Sequence, residues 1–93
     1  METRLKLLKL DLQISTNAID ELLVQMLNAA HKFIEREGIS LDETSAEDTQ
    51  LVVMYAAYLY RKRREENAAM PRMLRWALNN RLFAQKAGES VAD

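Results

Sequence analysis

Residues 51–60 read LVVMYAAYLY, ten consecutive positions without a charge. The run is too short to span a bilayer, which takes about 20 residues in a helix. It is either a buried strand or a buried helix, and its flanks favour the helix. Ser45, with Asp48 three residues later, resembles a capping box, and the basic residues 61–64 suit the negative end of a helix dipole. Because a helix that is apolar all round must be covered all round, the run predicts a central, buried helix.

The composition is that of one small globular domain. The chain has 93 residues, with 48% hydrophobic and 29% charged side chains, which fits a single domain over residues 1–93. It has no cysteine and one histidine, so we expect no disulfide, no zinc site and no cofactor. Charges interrupt the apolar residues 5–14, so no signal peptide is expected. The expected compartment is the cytosol, or a particle assembled there.

Two further helices precede the central one. Leu5, Leu8 and Leu12 share one face of a short helix predicted over residues 2–10. A long amphipathic helix is predicted over residues 17–37, and Gly38 is the natural residue to end it in a left-handed conformation. The residues that could cap the start of this helix are Ser15, Thr16 and Asn17.

A fourth helix is predicted over residues 71–86, with Pro71 at its first position. Its apolar side chains form two strips, so we expect it to be in contact on two sides. One strip holds Met73, Trp76, Ala77, Phe83 and Ala84, and the other holds Leu74, Leu78 and Leu82. Trp76 is interpreted as a core residue, with an interface anchor as the alternative.

The predicted fold is therefore all-α, a small bundle of about four helices, with residues 87–93 as a flexible tail. Its core is expected to contain apolar side chains of the second, third and fourth helices. They are Leu22, Leu23, Met26, Phe33, Leu51, Tyr55, Tyr58, Leu59, Trp76 and Leu78.

The sequence offers no catalytic constellation. His31 has no nucleophile or acid at motif spacing, and there is no cysteine. The only glycines are Gly38 and Gly88, which excludes phosphate-binding and dinucleotide-binding loops. We therefore expect a protein that is not an enzyme and that has no catalytic, cofactor or metal residues.

Charge is distributed unevenly along the chain. Residues 1–50 hold five basic and ten acidic side chains, and residues 51–93 hold eight and four. Opposite charges on two sides of a molecule suit contacts with neighbouring subunits or partners. The residues predicted to lie at such contacts are Asp42, Glu43, Glu47, Asp48, Arg61, Arg63, Arg64, Arg72 and Arg75. The alternative is a small DNA-binding regulator or packaging subunit, although the net charge of −1 is unusual for a dedicated DNA-binding domain.

The chain resembles the small head–tail connector (adaptor) proteins of tailed phages and prophages. The resemblance rests on DTQLVVMYAAYLYR at residues 48–61 and MPRMLRWALNNRLF at residues 70–83. It extends to Leu5–Leu12 and to Ile19–Ile34, and so covers roughly residues 2 to 86. It depends on the order and character of the helices more than on an invariant motif.

The resemblance implies a helical virion subunit that forms a ring on the portal protein once the genome is packaged. Such a ring extends the DNA channel and presents a platform for the head-closure or tail protein. The implied location is the head–tail interface of the virion, after assembly in the bacterial host cytoplasm. The implied partners are the portal protein, the head-closure or tail protein, further copies of the chain and, without sequence preference, channel DNA. No membrane contact is implied.

Overall fold

Four helices make up the regular structure, α1 (Glu2–Leu12), α2 (Asp20–Arg36), α3 (Ala46–Arg64) and α4 (Arg72–Ala92). The structure, a computed structural model, describes the backbone of residues 1–92 and the side chains of residues 1–88. Residues 1–92 contain no strand. The predicted all-α bundle of four helices is confirmed.

Helix α3 is the centre of the bundle. Val52, Val53, Ala56 and Ala57 are at most 1% exposed, because α1 and α2 pack along α3 and α4 adds further cover. The helices of this one chain therefore bury seven of the ten residues of the uncharged run, and Met54, Leu59 and Tyr60 are partly buried. The buried apolar residues are Leu8, Leu23, Leu27, Ala30, Ile34, Ile39, Leu51, Val52, Val53, Tyr55, Ala56, Ala57, Tyr58, Leu74 and Leu78.

The predicted start of α3 and the predicted end of α2 are confirmed. Ser45 is the N-cap of α3, and its Oγ accepts the backbone N–H of Asp48 at 3.2 Å. The carboxylate of Asp48 does not complete the capping box, since the Ser45 N–H donates to the carbonyl of Asp42 instead. Gly38 ends α2 with φ of 96°, and its N–H donates to the Glu35 carbonyl at 2.9 Å.

Replacing Ser45 by alanine is expected to lower the free energy of unfolding by about 1 kcal/mol, because one N–H of the first turn of α3 loses its acceptor. Urea unfolding followed by circular dichroism measures the change. Ser15→Ala is the matched control, since Ser15 is exposed and stands before the start of α2. Equal losses for the two variants would show that the Ser45 cap contributes nothing specific.

Several predicted boundaries are wrong. α1 continues to Leu12, where Gln13 ends it in a left-handed conformation with φ of 59°. α2 begins only at Asp20, after an N-cap residue, Ile19, whose side chain cannot cap. The predicted cap Thr16 instead accepts the N–H of Ala18 at 3.2 Å, within a turn that delays the helix.

The helical backbone of α4 passes the predicted end at residue 86 and reaches Ala92. A helical backbone does not report motion, so the flexibility of residues 87–93 stays a prediction. Asp93 lies outside the described residues.

Two predicted core residues are exposed. Phe33 is 39% exposed, and its ring stacks on Tyr55 with centroids 5.9 Å apart and planes 9° apart. Trp76 is 60% exposed because Leu74 and Leu78 occupy the face of α4 that meets the bundle. At about 100° per residue, Trp76 lies roughly 160° around the helix from both leucines.

The remaining predicted core residues are covered to different degrees. Leu23, Leu51, Tyr55, Tyr58 and Leu78 are buried, as predicted. Three others are only partly buried, namely Leu22, Met26 and Leu59.

Candidate interaction surface

The inner face of α4 attaches the helix to the bundle. Leu74 and Leu78 are 1% and 0% exposed and belong to the core. Leu82 is partly buried and packs against the same core. These leucines form one of the two predicted strips, so the face that they define is the contact side of α4.

A buried ion pair fixes the middle of α4 to the start of α3. The Arg81 guanidinium donates from Nε to Asp48 Oδ1 at 2.6 Å and from Nη2 to Oδ2 at 3.0 Å. Asp48 is 1% exposed and also accepts the N–H of Asp42 at 2.8 Å. The hydrogen bond from Arg81 lowers the pKa of Asp48, although burial opposes the shift. The carboxylate is therefore ionised and fully engaged inside the protein.

Arg81 and Gln85 also hold the loop that follows α2. Arg81 Nη2 donates to the Ser40 carbonyl at 2.8 Å. The Gln85 side chain donates to the Gly38 carbonyl at 2.8 Å and accepts the Ser40 N–H at 2.7 Å. This loop contributes Ile39, 2% exposed, to the core. The polar contacts thus place α4, the loop and the first turn of α3 in one fixed arrangement.

A second ion pair joins the first half of α4 to the end of α2. Arg75 donates from its two Nη atoms to the two oxygens of Glu37, at 2.8 and 2.9 Å. A planar guanidinium and a carboxylate match in this two-bond geometry, which fixes orientation as well as distance.

Nearby, burial raises the pKa of Tyr55, and the charge of Glu37 adds to that shift.

Two of the predicted contact residues, Asp48 and Arg75, form ion pairs that attach α4 to the rest of the chain, and the other seven are exposed. Asp48 is buried inside its own chain, so its prediction as a surface contact is wrong. Arg75 is paired with Glu37 within the chain but is partly exposed, so its contact with a partner stays a prediction. The others are exposed and stay predictions, namely Asp42, Glu43, Glu47, Arg61, Arg63, Arg64 and Arg72.

Sequence reasoning missed Arg81 and Gln85. Both lie on the same side of α4 as Leu74 and Leu78, where a polar side chain requires a hydrogen-bonding partner. The position of Arg81 and Gln85 on this inner side of α4 could therefore have indicated from the sequence that both have partners inside the chain. The partner itself, Asp48, is 33 residues away, so no local pattern could have identified it.

The outer face of α4 carries large apolar side chains with no cover. Met73, Trp76 and Phe83 are 72%, 60% and 73% exposed. Arg72 and Lys86 are exposed beside them, and no acidic residue occurs between positions 71 and 86. We call this set of five residues the outer face. Large apolar residues grouped on a surface are typical of a binding site, and tryptophan is common among residues that dominate binding energy.

A groove between α3 and α4 adjoins the outer face. It has a volume of about 370 Å³, and apolar side chains form much of its floor. Its lining consists of Glu47, Gln50, Leu51, Met54, Ala77, Asn80 and Arg81. A side chain that extends from a partner bound on the outer face could enter this groove.

A larger, polar depression of about 620 Å³ lies where α1 and α3 end. Arg61 and Arg64 line it, but Asp11 and Glu65 line it as well. Both helices direct their negative ends toward it, which does not favour an anion. Its mixed charge indicates no particular ligand.

Within the described part of the chain, no three histidine or acidic side chains are grouped so that they could hold a metal ion. His31 is half-buried on α2, 3.5 Å from Glu35. Among residues 1–92, no helix combines the length and the apolar content that crossing a membrane requires. Comparison of the chain with protein-family models, curated proteins and solved structures found no match.

Proposed function

We propose that this protein is a structural subunit of the head–tail connector of a tailed phage or prophage. In this role it joins the portal of the filled head to the head-closure or tail protein and extends the DNA channel. It works by assembly and without catalysis, at the head–tail interface of the virion. The observation that carries the proposal is the outer face of α4, an uncovered apolar surface on a bundle whose core is complete.

The outer face supports an assembly role because burial there is not needed for folding. Leu74 and Leu78 already supply the contact between α4 and the bundle. Exposing Met73, Trp76 and Phe83 to water is unfavourable, at roughly 25 cal/mol for each Å² of apolar surface. A partner that covers them recovers this free energy, which makes the face suited to docking.

Because α3 is buried within its own chain, assembly is not needed to cover it. The uncharged run needs cover, either from other segments of its own chain or from neighbouring subunits, and α1, α2 and α4 of the same chain bury most of it. The subunit is therefore expected to fold before it assembles. Contacts with a partner protein such as the portal then fall to the outer face, and contacts with other copies fall to the exposed charged residues.

The alternative, a DNA-binding regulator or packaging subunit, is favoured by the exposed basic residues 61–64 at the end of α3. Glu65 and Glu66 follow them directly, and Asp11 lies 3.5 Å from Arg61, which reduces the local positive potential. Non-specific contact with channel DNA remains compatible with the connector role. Tight, sequence-dependent binding of duplex DNA in a gel shift would favour the alternative.

The connector proposal predicts that the purified chain adds to DNA-filled, portal-bearing heads of the phage that encodes it. Cryo-electron microscopy should show a ring of new density beneath the portal. The Trp76→Ala/Phe83→Ala variant should fold normally but add at least about tenfold more weakly, since aromatic anchors dominate many interfaces.

Leu10→Ala is the matched control, because Leu10 is 75% exposed but lies on α1, outside the outer face. This variant should add to heads like the unmodified protein. Heads that show no ring at saturating protein concentration would contradict the proposal.

A further inference from the structure

The apolar residues of the outer face, together with Asn80 and Ala87, have the spacing of a helix-pairing seam. Met73, Trp76, Asn80, Phe83 and Ala87 follow one another at intervals of three, four, three and four residues. All five are exposed. This is the a/d pattern of a coiled coil, maintained over two heptads and about 21 Å of helix. The spacing therefore matches the side of another helix better than a flat or irregular surface.

Asn80 occupies one of the a positions of this seam. A single polar residue at such a position specifies register and partner number, at some loss of stability. The polar side chain of Asn80 therefore favours a partner helix that binds in one defined register. Asn80 also lines the groove between α3 and α4, so a helix placed on the seam lies next to that groove.

The two edges of the seam differ in chemistry. On one edge, the g positions are Arg72, Asn79 and Lys86, all exposed. On the other edge, the e positions are Ala77 and Ala84, two small residues that allow close approach. Residues at e and g positions select the partner of a coiled coil through charge. One edge therefore favours acidic residues, and the other favours a bulky apolar side chain.

A second copy of the same seam is a poor occupant. In an antiparallel pair the two g edges face each other, which sets Arg72 against Lys86 of the other copy. In a parallel pair the g edge faces the e edge, so the basic residues find only alanines. Charge complementarity thus points away from self-pairing through this face and toward a different helix.

We propose that the outer face of α4 binds an amphipathic helix of another protein, with an apolar a/d seam and acidic residues along one edge. A polar residue of that helix lies opposite Asn80. On the other edge, an apolar side chain enters the groove floored by Leu51, Met54 and Ala77. Glu47, which also lines the groove, disfavours acidic residues on that second edge, because Arg81, the cation in the same lining, is already paired with Asp48. This inference rests on the docking role proposed above and specifies the chemistry of the docked segment.

The test uses two synthetic peptides of about 21 residues, each three heptads long. Both carry a leucine and isoleucine seam with one asparagine and contain no aromatic residue. They differ only at one edge, which is glutamate in the first and lysine in the second. Each is titrated into the full-length protein at low salt. Trp76, the only tryptophan, reports burial of the seam by a blue shift of its emission.

The glutamate peptide is expected to shift the emission and to bind at least about tenfold more tightly than the lysine peptide. Raising the salt concentration should reduce this difference, because exposed charges are screened. The Arg72→Glu/Lys86→Glu variant should reverse the preference. Phe83→Ala should weaken binding by about tenfold or more, whereas Leu10→Ala should leave it unchanged.

Equal affinities for the two peptides, or no binding of either at about 1 mM, would overturn the inference. Self-association of the protein with a blue shift of Trp76 emission would also overturn it, because a second copy would then be the occupant. Peptide binding by a protein that adds no density to filled heads would keep this inference and remove the phage assignment. If the protein adds density to filled heads but binds neither peptide, the connector proposal is kept and this inference is removed.

Discussion

Replacing Arg81 by alanine is expected to lower the free energy of unfolding by about 3–5 kcal/mol. The variant leaves Asp48 without its ion-pair partner at a site where its side chain is only 2% exposed, although the charge of Arg4 still acts on it. Removing one partner of a buried pair costs more than the pair itself contributes, because the remaining charge stays desolvated. The loss is large beside the total stability of a small domain, about 5–15 kcal/mol. Urea unfolding of the purified variant measures it.

A double-mutant cycle separates the ion pair from general packing. Asp48→Ala/Arg81→Ala should be more stable than Arg81→Ala alone, since no unpaired charge remains buried. Arg61→Ala is the matched control. The Arg61 side chain is 54% exposed, and its ion pair with Asp11 is long, at 3.5 Å, and lies in solvent. Its unfolding midpoint should not change measurably. If the losses of stability in Asp48→Ala and Arg81→Ala add up to the loss in the double variant, the two residues are not energetically coupled.

The pH dependence gives a second check on the same pair. In the folded protein the pKa of Asp48 is below its ordinary value of 3.8, so its stabilising contribution is present above that value. It is lost as the pH falls through the lowered folded pKa. In Arg81→Ala the unpaired, buried carboxyl should instead have a raised pKa, so protonation should restore part of the stability. The difference between the two proteins should therefore be largest near neutral pH and should narrow toward pH 3.8.

Local signals explain which parts of the fold were predictable. The cap at Ser45, the left-handed Gly38 and the uncharged run each act within a few residues, and the structure confirms all three. The start of α2 was missed because three neighbouring polar residues are equally good caps by composition. None of them caps the helix, because the turn at Ala18 delays its start to Asp20, after the N-cap residue Ile19.

The orientation of α4 could not be predicted in the same way. Its sequence shows two apolar strips but does not state which one meets the bundle. The choice depends on Arg81 and Gln85, which reach Asp48 and the loop at residues 38–40. These contacts join positions more than 30 residues apart, so they emerge only in three dimensions. Trp76 was placed in the core for this reason, although the alternative interpretation, an interface anchor, agrees with its exposure.

Replacing Val52 by aspartate is expected to leave the isolated protein unfolded. Val52 is 0% exposed in the middle of α3, and Asp48 is the only charged side chain among residues 1–88 that is buried. An acid there must either hold an unpaired charge or remain protonated without water, and both alternatives cost several kcal/mol. That cost is comparable with the whole stability of a small domain. Circular dichroism and size-exclusion chromatography of the purified variant test the prediction.

Gln50→Asp is the matched control, with the same new charge two residues earlier on the exposed side of α3. It should fold like the unmodified protein, since surface substitutions change stability by only about 0.5 kcal/mol. If Val52→Asp also folded normally, α3 would be uncovered in the free subunit. Its apolar run would then be buried only by neighbouring subunits during assembly, and the ring, rather than the single chain, would be the unit that completes the core.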